Sequence, residues 1–475
     1  MEHAVTYENI LLSTYKTEHI LRMEIIKNVN EHGSLHVTAI VPEEEAEEYV
    51  YITTPMTPVT LEYLKEDKTV EILFRGAVVN IQINRQGDVC IMDLNVYGNT
   101  FAMDIIKQSR SFQNTSMTVH QLFREVISNY ENCDIALQIP DEPIGRLVIQ
   151  YQETDWEFLV RFASHYGAVL IPNVRGEKAE FFVGVPKLGE EYTADPYQYR
   201  ISKSMNEYLN VKENQWPDVT ETDFTVFQIQ DYRVFQVGDR INLAEKALVV
   251  QSAHHVLGDG ILYNTYQMKR EKGLKGLESY NGQIVGASIT GRVVDVARDK
   301  VMVELEIDEA GRAAYWFPYS TMSASPDGSG WYCMPEKGDQ VRVYFPTNQE
   351  SDAYAVSSVS SHQPQPGDAK DPMGNPNIKY LKSKADQVIQ FQEDGILLNS
   401  GSGQATVFLG KSGELTVFGN TSLNVTAKET LNLISNGQLL IGATDSICVK
   451  KGEGTGITMD SDGNIKLSGT KIYSN

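Results

Sequence analysis

Toward the C-terminal end, pairs of apolar residues separated by one position recur every eight residues: Val407/Leu409, Leu415/Val417, Leu423/Val425, Leu431/Leu433, Leu439/Ile441 and Ile447/Val449. After a two-residue slip across Lys450–Gly456 the pattern resumes at Ile457/Met459 and Ile465/Leu467. Alternation of apolar and polar positions is the period of a β-strand, and Gly, Asn, Ser and Thr fill the gaps as turn residues do. An extended octad spans roughly 26 Å at about 3.3 Å per residue. That is enough for one strand and a bend, and too little for a full three-sided coil. Burial contributes about 1.5–3 kcal/mol per aliphatic side chain, against about 1–2 kcal/mol for ordering each residue. Two side chains cannot carry eight residues on a lone chain. If three chains wind together, each supplies one face of a shared prism, and every strand pairs with a strand of another chain, leaving few open edges. The pattern therefore predicts an intertwined homotrimeric, triple-stranded β-helix over residues 380–475. A single-chain solenoid or β-sandwich is the alternative that the pattern alone leaves open.

The rest of the chain is long enough for further domains. It has 475 residues, 41% of them hydrophobic, and a formal net charge of −22. The charge is concentrated upstream, −16 over residues 1–280 and −6 over residues 281–475. Such acidity disfavours nucleic acid, whose phosphates need clustered Lys and Arg. The run Glu43, Glu44, Glu45, Glu47 and Glu48 follows Pro42 and reads as the solvated first turn of a short helix. Cys90, Cys133, Cys333 and Cys448 lie far apart with no CxxC, which predicts free thiols. The opening MEHAVTYENI has neither a basic nor an apolar signal region. No apolar run is long enough for a membrane-spanning helix. The expectation is a protein folded in the cytoplasm and carried outward by a route other than general secretion.

Between Ser361 and Asn377 the sequence turns Pro- and Gly-rich, a linker signal. Upstream of it, Ser288–Val296, Lys300–Ile307, Ala314–Pro318, Gln340–Phe345 and Ala353–Ser358 read as five short strands, suited to a Greek-key barrel of the OB type. OB barrels often take single-stranded nucleic acid on aromatics set in a basic groove. Here Trp316, Tyr319, Trp331 and Tyr344 have no Lys/Arg cluster around them, so core packing or subunit contact is the expectation. The first 280 residues read as strands with two helices, Thr118–Tyr130 and one beginning at Thr154. Thr118 with Gln121, and Thr154 with Glu157, have the spacing of a capping box. On the second helix Phe158, Leu159, Phe162 and Tyr166 share a face, and Gly167 is placed to end it.

The stretch from Gln150 to Gly167, QYQETDWEFLVRFASHYG, resembles the helix motif of the VgrG proteins of type VI secretion and of phage late-control hub proteins. Tyr151, Glu153, Thr154, Asp155, Phe158, Arg161 and Gly167 carry the likeness. Leu248–Arg270 resembles the end of the same hub domain. GRVVDV (Gly291–Val296), WFPYS (Trp316–Ser320) and MPEKGDQVRVYF (Met334–Phe345) resemble the family's OB module, and the octads its needle. The resemblance implies a predominantly β protein with some α: a hub of two related β-barrels with helical insertions over 1–280, an OB barrel over 281–362, a linker over 363–379 and a needle over 380–475. It implies a homotrimer at the tip of the inner tube of a contractile injection system. That trimer would dock on tube and baseplate, puncture an envelope, and carry a separate PAAR-like tip protein and possible effector cargo. Phage, tailocin, extracellular particle and type VI apparatus are all open.

Enzymatic and metal chemistry are the rival readings. Fewer than thirty residues separate the barrel's end near Ser360 from the first expected needle strand near Gln387, too few for the scaffold that holds a glycosidase's two carboxylates. All nine histidines lie at or before His362, so no histidine-held tip ion is expected in the needle. His254 and His255 are adjacent, so on a strand they point to opposite faces. Gly452-x-Gly454-x-Gly456 lacks the Lys-Ser/Thr and helix of a phosphate loop. The expectation is no catalytic residue, no cofactor and no metal. The competing readings are a trimeric tail-associated adhesin and an envelope-degrading spike.

Overall fold

The structure, a computed structural model, describes residues 5–65, 68–131, 133–187, 191–356, 360, 372–471 and 473. It divides into two compact units, Met1–Ser361 and His362–Asn475.

The first unit opens with strands β1 (Ile10–Leu12), β2 (His19–Asn28) and β3 (Ser34–Val41). Helix α1 (Glu43–Ile52) follows, then β4 (Pro58–Leu64), β5 (Val70–Gln86) and β6 (Val89–Gly98). Glu43, Glu44 and Glu45 of the acidic run form the first turn of α1, where carboxylates face the positive end of the helix dipole; the helix buries Ala46 and Tyr49. An insertion comes next: β7 (Lys107–Phe112), α2 (Val119–Ile127), β8 (Asp134–Leu137), β9 (Val148–Thr154), α3 (Asp155–Ser164), β10 (Leu170–Pro172) and β11 (Glu180–Val183). The chain then returns to the main sheet through β12 (Glu191–Ala194), β13 (Tyr199–Lys203), α4 (Met205–Asn214), β14 (Thr225–Asp231), β15 (Arg240–Leu243), β16 (Lys246–Gly258) and β17 (Ile261–Lys269).

The main sheet runs β1-β4-β5-β6-β3-β2-β16-β17-β14-β13, with β15 and β12 branching from β16. Its two halves meet where β2 pairs with β16, His255 opposite Ile25. Each half encloses its own core, one around Met23, Val37, Phe74 and Leu94, the other around Ile229, Phe235, Val250 and Tyr266. Thr6, ahead of β1, bridges to Ile261 at the start of β17, so the far end of the first half is tied to the second. The insertion has a third core of Phe112, Phe123, Phe158 and Phe162.

The barrel that follows contains β18 (Ser288–Ala297), β19 (Lys300–Leu305), β20 (Trp316–Pro318), β21 (Gln340–Tyr344) and β22 (Tyr354–Val356) in the order β20-β19-β18-β21-β22. A bridge from Tyr319 to Ala355 joins its two edges. The five strands fall within the five expected segments or one residue beyond them; residues 357 and 358 of the last segment lie outside the described residues.

The second unit holds β23 (Lys379–Lys382), β24 (Val388–Gln392), β25 (Gly395–Asn399), β26 (Ala405–Gly410), β27 (Leu415–Gly419), β28 (Ile447–Lys451), β29 (Thr455–Met459) and β30 (Ile465–Ser468). They form a five-stranded and a three-stranded antiparallel meander. Two expectations need correction. The first strand begins at Lys379, not near Gln387, because Leu381 and Ile389 alternate in register across a tight turn. The octads at both ends pair with neighbours in their own chain, since short turns let successive octads fold back. Of the expected linker, residues 363–371 lie outside the described residues.

Candidate assembly surfaces

The helix motif sits where the insertion meets the barrel. Thr154 Oγ1 accepts from the Glu157 N–H, and the Glu157 carboxylate accepts from the Thr154 N–H, so the capping box is complete. The Thr118–Gln121 box is complete too. Gly167 ends the turn after α3 at φ +62°, and a Cβ there would lie 3.0 Å from the Trp216 ring; any other residue would be strained and crowded. Phe158 stacks between Phe112 and Phe162. Asp155, fully buried, accepts from Arg110 at 2.5 Å, Tyr130 at 2.8 Å and Gln150 at 2.9 Å.

Arg161 is the centre of the joint. Its guanidinium grips both oxygens of Glu153 at 2.7 and 2.8 Å, donates to the Ile149 carbonyl at 2.8 Å and reaches Glu350 of the barrel at 3.0 Å. All three side chains are at most 9% exposed. Burial pushes the Glu350 carboxyl up, against the pull of Arg161 and Arg146. The barrel's Asp308 accepts from the backbone N–H of Ser111 at 2.6 Å, from its hydroxyl and from Gln113; burial raises its pKa as well. Gln113 in turn donates to the Val303 carbonyl and accepts from the N–H groups of Ala314 and Tyr315. Apolar packing crosses the same joint. Val148 belongs to the insertion core, while Leu147 and Ile149 belong to the barrel core with Tyr151 against it. Insertion and barrel thus share strand β9. Glu350 and Asp308 were not legible in the sequence, because their partners lie 189 and 197 residues away.

Within the main sheet, β5-β6-β3-β2-β16-β17-β14-β13 form eight consecutive strands, each antiparallel to the next. One face lies on the two cores; the other is polar, with Asn95, His36 and Glu24 half-buried in one row. His254 lies on the polar face, 2.8 Å from Glu24, while His255 is buried on the other. That separation is the one their adjacency predicts. His255 meets Asn264 at 2.8 Å, and burial drives its pKa down to about 3. Lys27, buried at the seam between the halves, donates to the Leu73 carbonyl and Gln236; burial pushes its pKa down to about 7.

The octad positions lie in the second unit. Along the first meander Leu381, Ile389, Leu398, Val407 and Val417 stand opposite one another in turn, and beside them Phe391, Ile396, Leu409 and Leu415. They make one apolar ladder, and a groove of about 570 Å³ opens on it. In the second meander Val449, Ile457 and Leu467 align, as do Ile447, Met459 and Ile465. Between the meanders, residues 420–446 hold no strand. There Leu423, Val425, Leu431, Leu433, Leu439 and Ile441 are 53–67% exposed. Of the sixteen octad residues only Val407 and Ile447 are half-buried; the others are exposed. Cys448 faces Thr458 across the ladder. Among the described residues no cluster of His, Cys, Asp or Glu is arranged to hold a metal, and no helix is long and apolar enough to cross a membrane. On the barrel, Trp331 and Tyr332 are exposed and Phe317 fills the core.

Residues 289–359 match the family model of the type VI secretion system/phage-baseplate injector OB domain. The fold is similar to that of the E. coli c3393 protein, described as a component of the type VI secretion system with structural similarity to the T4 bacteriophage tail proteins gp27 and gp5. The match has 12% identity, 73% of this chain, 98% of that one and a TM-score of 0.55. A chain of the half-lidded Francisella PdpA–VgrG complex matches at 8% identity over 87% of this chain and 88% of that one, with a TM-score of 0.55. The lidless form gives 10%, 85%, 94% and 0.51. No curated protein sequence matches. The fold is similar to those of the VgrG and phage tail-protein structures, with an injector OB domain matched over residues 289–359.

Proposed function

We propose that this chain is the homotrimeric central spike of a contractile injection system, docking on the inner tube and baseplate and mechanically puncturing the target envelope. In this reading residues 1–280 form the hub, 281–362 the OB barrel and 380–475 the needle, with a separate PAAR-like tip protein at its end and effector cargo as a possible load. The protein catalyses no reaction; its work is to stay folded under load when the tube is driven forward. The tail-like particle or secretion apparatus delivers it outward on contraction.

The observation that carries the proposal is the apolar surface of the second unit. Soluble monomers rarely leave contiguous apolar patches larger than a few hundred Å² uncovered, yet here two ladders and the strandless segment between them expose their octad side chains. Two further copies would cover these side chains and supply ladder partners to residues 420–446. Light scattering should report a mass of about three chains; a single-chain mass at micromolar concentration would sink the proposal. Release of muropeptides from purified peptidoglycan would overturn the non-enzymatic part alone.

A further inference from the structure

On the inner face of β2 a lysine follows two core residues, Met23 and Ile25, in the alternation. Lys27 is 4% exposed, and its Nζ donates to the Leu73 carbonyl at 3.3 Å and to Gln236 Oε1 at 3.0 Å. Both acceptors are neutral. Burial favours the uncharged amine and sets its pKa at about 7, with Arg175 pushing the same way and Asp239 opposing. The amine is a nucleophile. Its two N–H groups serve the two acceptors, and a lone pair is left over.

Gln236 belongs to the other half of the sheet, 209 residues along the chain. Its segment is pinned. The Gln236 N–H donates to the Asp239 carboxylate at 2.7 Å, the Phe235 N–H donates to the Tyr266 hydroxyl at 3.0 Å, and Asn264 Nδ2 holds the carbonyls of Tyr232 and Arg233. Yet the carboxamide nitrogen of Gln236 is sealed from solvent and has no hydrogen-bond partner among the described residues. A buried donor in that state is costly, and its departure would break no contact. The third group is His255. Asn264 spends its Nδ2 on the backbone, so its Oδ1 accepts from His255 Nδ1 at 2.8 Å. His255 Nε2 therefore carries a lone pair, and it too is buried and unpartnered. His255 stands opposite Ile25, and Ala253 opposite Lys27. Lys27 and His255 are thus diagonal neighbours on one inner face.

We propose that Lys27 and Gln236 condense into an isopeptide bond, a covalent tie between the two halves of the main sheet. Rotation about the Cε–Nζ bond turns the amine lone pair onto Cδ of Gln236. The bond that forms is Nζ–Cδ, and the bond that breaks is Cδ–Nε2. His255 Nε2 takes the proton from Nζ and passes it to the departing nitrogen, which leaves as ammonia. Nothing is oxidised or reduced, and no co-reactant enters. Amines attack carboxamides slowly in solution, but a pair held in contact gains an effective concentration of many orders of magnitude. The tie concerns the first unit alone and does not depend on the number of copies. A chain that has closed it has no Lys27 ammonium left to titrate.

The test is the intact mass of the folded full-length protein held above pH 7, where the free amine dominates. It should fall short of its sequence by one ammonia, and trypsin should release a branched peptide joining residue 27 to residue 236. Lys27→Met and Gln236→Met should each keep the full mass of their sequences, as should the parent chain held unfolded in urea. Full mass in the folded parent overturns the proposal. So does an ammonia loss that persists in Lys27→Met, since Asn281-Gly282 and Asn436-Gly437 also lose ammonia when they cyclise. The branched peptide is sought in the parent, so a variant that misfolds leaves the test intact. His255→Gln should slow the appearance of the lighter mass, and an unchanged rate overturns the role of His255 as proton carrier.

Discussion

The first unit, Met1–Ser361, and the second, His362–Asn475, solve opposite problems with the same strand chemistry. In the first, apolar residues are spent within the chain: separate cores fill the sheet halves, the insertion and the barrel, and buried charges at the joint find partners a few ångströms away. In the second, strands alternate just as regularly, yet both meanders and the segment between them hold their apolar side chains outward. The difference lies in the length of the repeat. An octad gives a strand and a bend but no second layer to close over it, so a unit built from octads has a surface where a domain has a core. In the proposed trimer the second unit's stability is a property of concentration and partners, while the first unit's is a property of the chain.

The comparison can be broken most sharply in the needle. Replacing Val425 and Leu433 by Asp places a charge at each position in every copy of the chain, where burial would be costly. Loss of the three-chain mass is expected, with no change in the near-ultraviolet signature of the hub aromatics. Three-chain mass with the parent's heat resistance would show that these positions do not face inward. Next in size is Arg161→Ala. It strips the paired guanidinium from the buried Glu153 and Glu350 and should destabilise the first unit by about 3–5 kcal/mol, read as a lower denaturant midpoint of the first unit's transition with that of the second unmoved. A smaller effect is expected from Thr154→Ala, about 1 kcal/mol through loss of the helix cap. A loss as large as that of Arg161→Ala would mean the threonine does more than cap.

The finest test is pH, read on chains in which Lys27 is still a free amine. Lys27 has its folded pKa depressed to about 7, below the ordinary value of 10.5. Between these values the unfolded chain holds the proton more tightly than the folded one, so the hub should gain stability as pH rises from about 7 toward 10. Below 7 both states are protonated and the contribution is flat. Lys27→Met should remove this slope relative to the parent, as followed by urea midpoints across the range. An unchanged slope would show that Lys27 is not buried in that state.

What could be read beforehand was local. Octads, capping boxes, the barrel's strands and the opposite facing of His254 and His255 are written in spacings of one to eight residues, and backbone geometry acts over the same range. The joint could not be read this way. Glu350 looks like any acidic residue in a loop, and only the fold brings it to Arg161. Lys27 likewise sits in an alternating strand among Met23 and Ile25, and nothing in its neighbours says that a lysine will stand on the inner face. The unstranded stretch 420–446 carries the same octads as its flanks, so the sequence offers no reason why it alone finds no partner within the chain.

Strand β9 has a mechanical consequence. Its alternating side chains are keyed into two different cores, Val148 on one side and Ile149 on the other, with Arg161 bolting the adjacent helix to the barrel. A load arriving through the barrel cannot slide along a bare interface, because slip by one residue would swap every inward side chain for its outward neighbour. The connection between insertion and barrel within the first unit is therefore stiff in shear, and a push on the barrel moves the insertion with it instead of being absorbed as a bend at the junction.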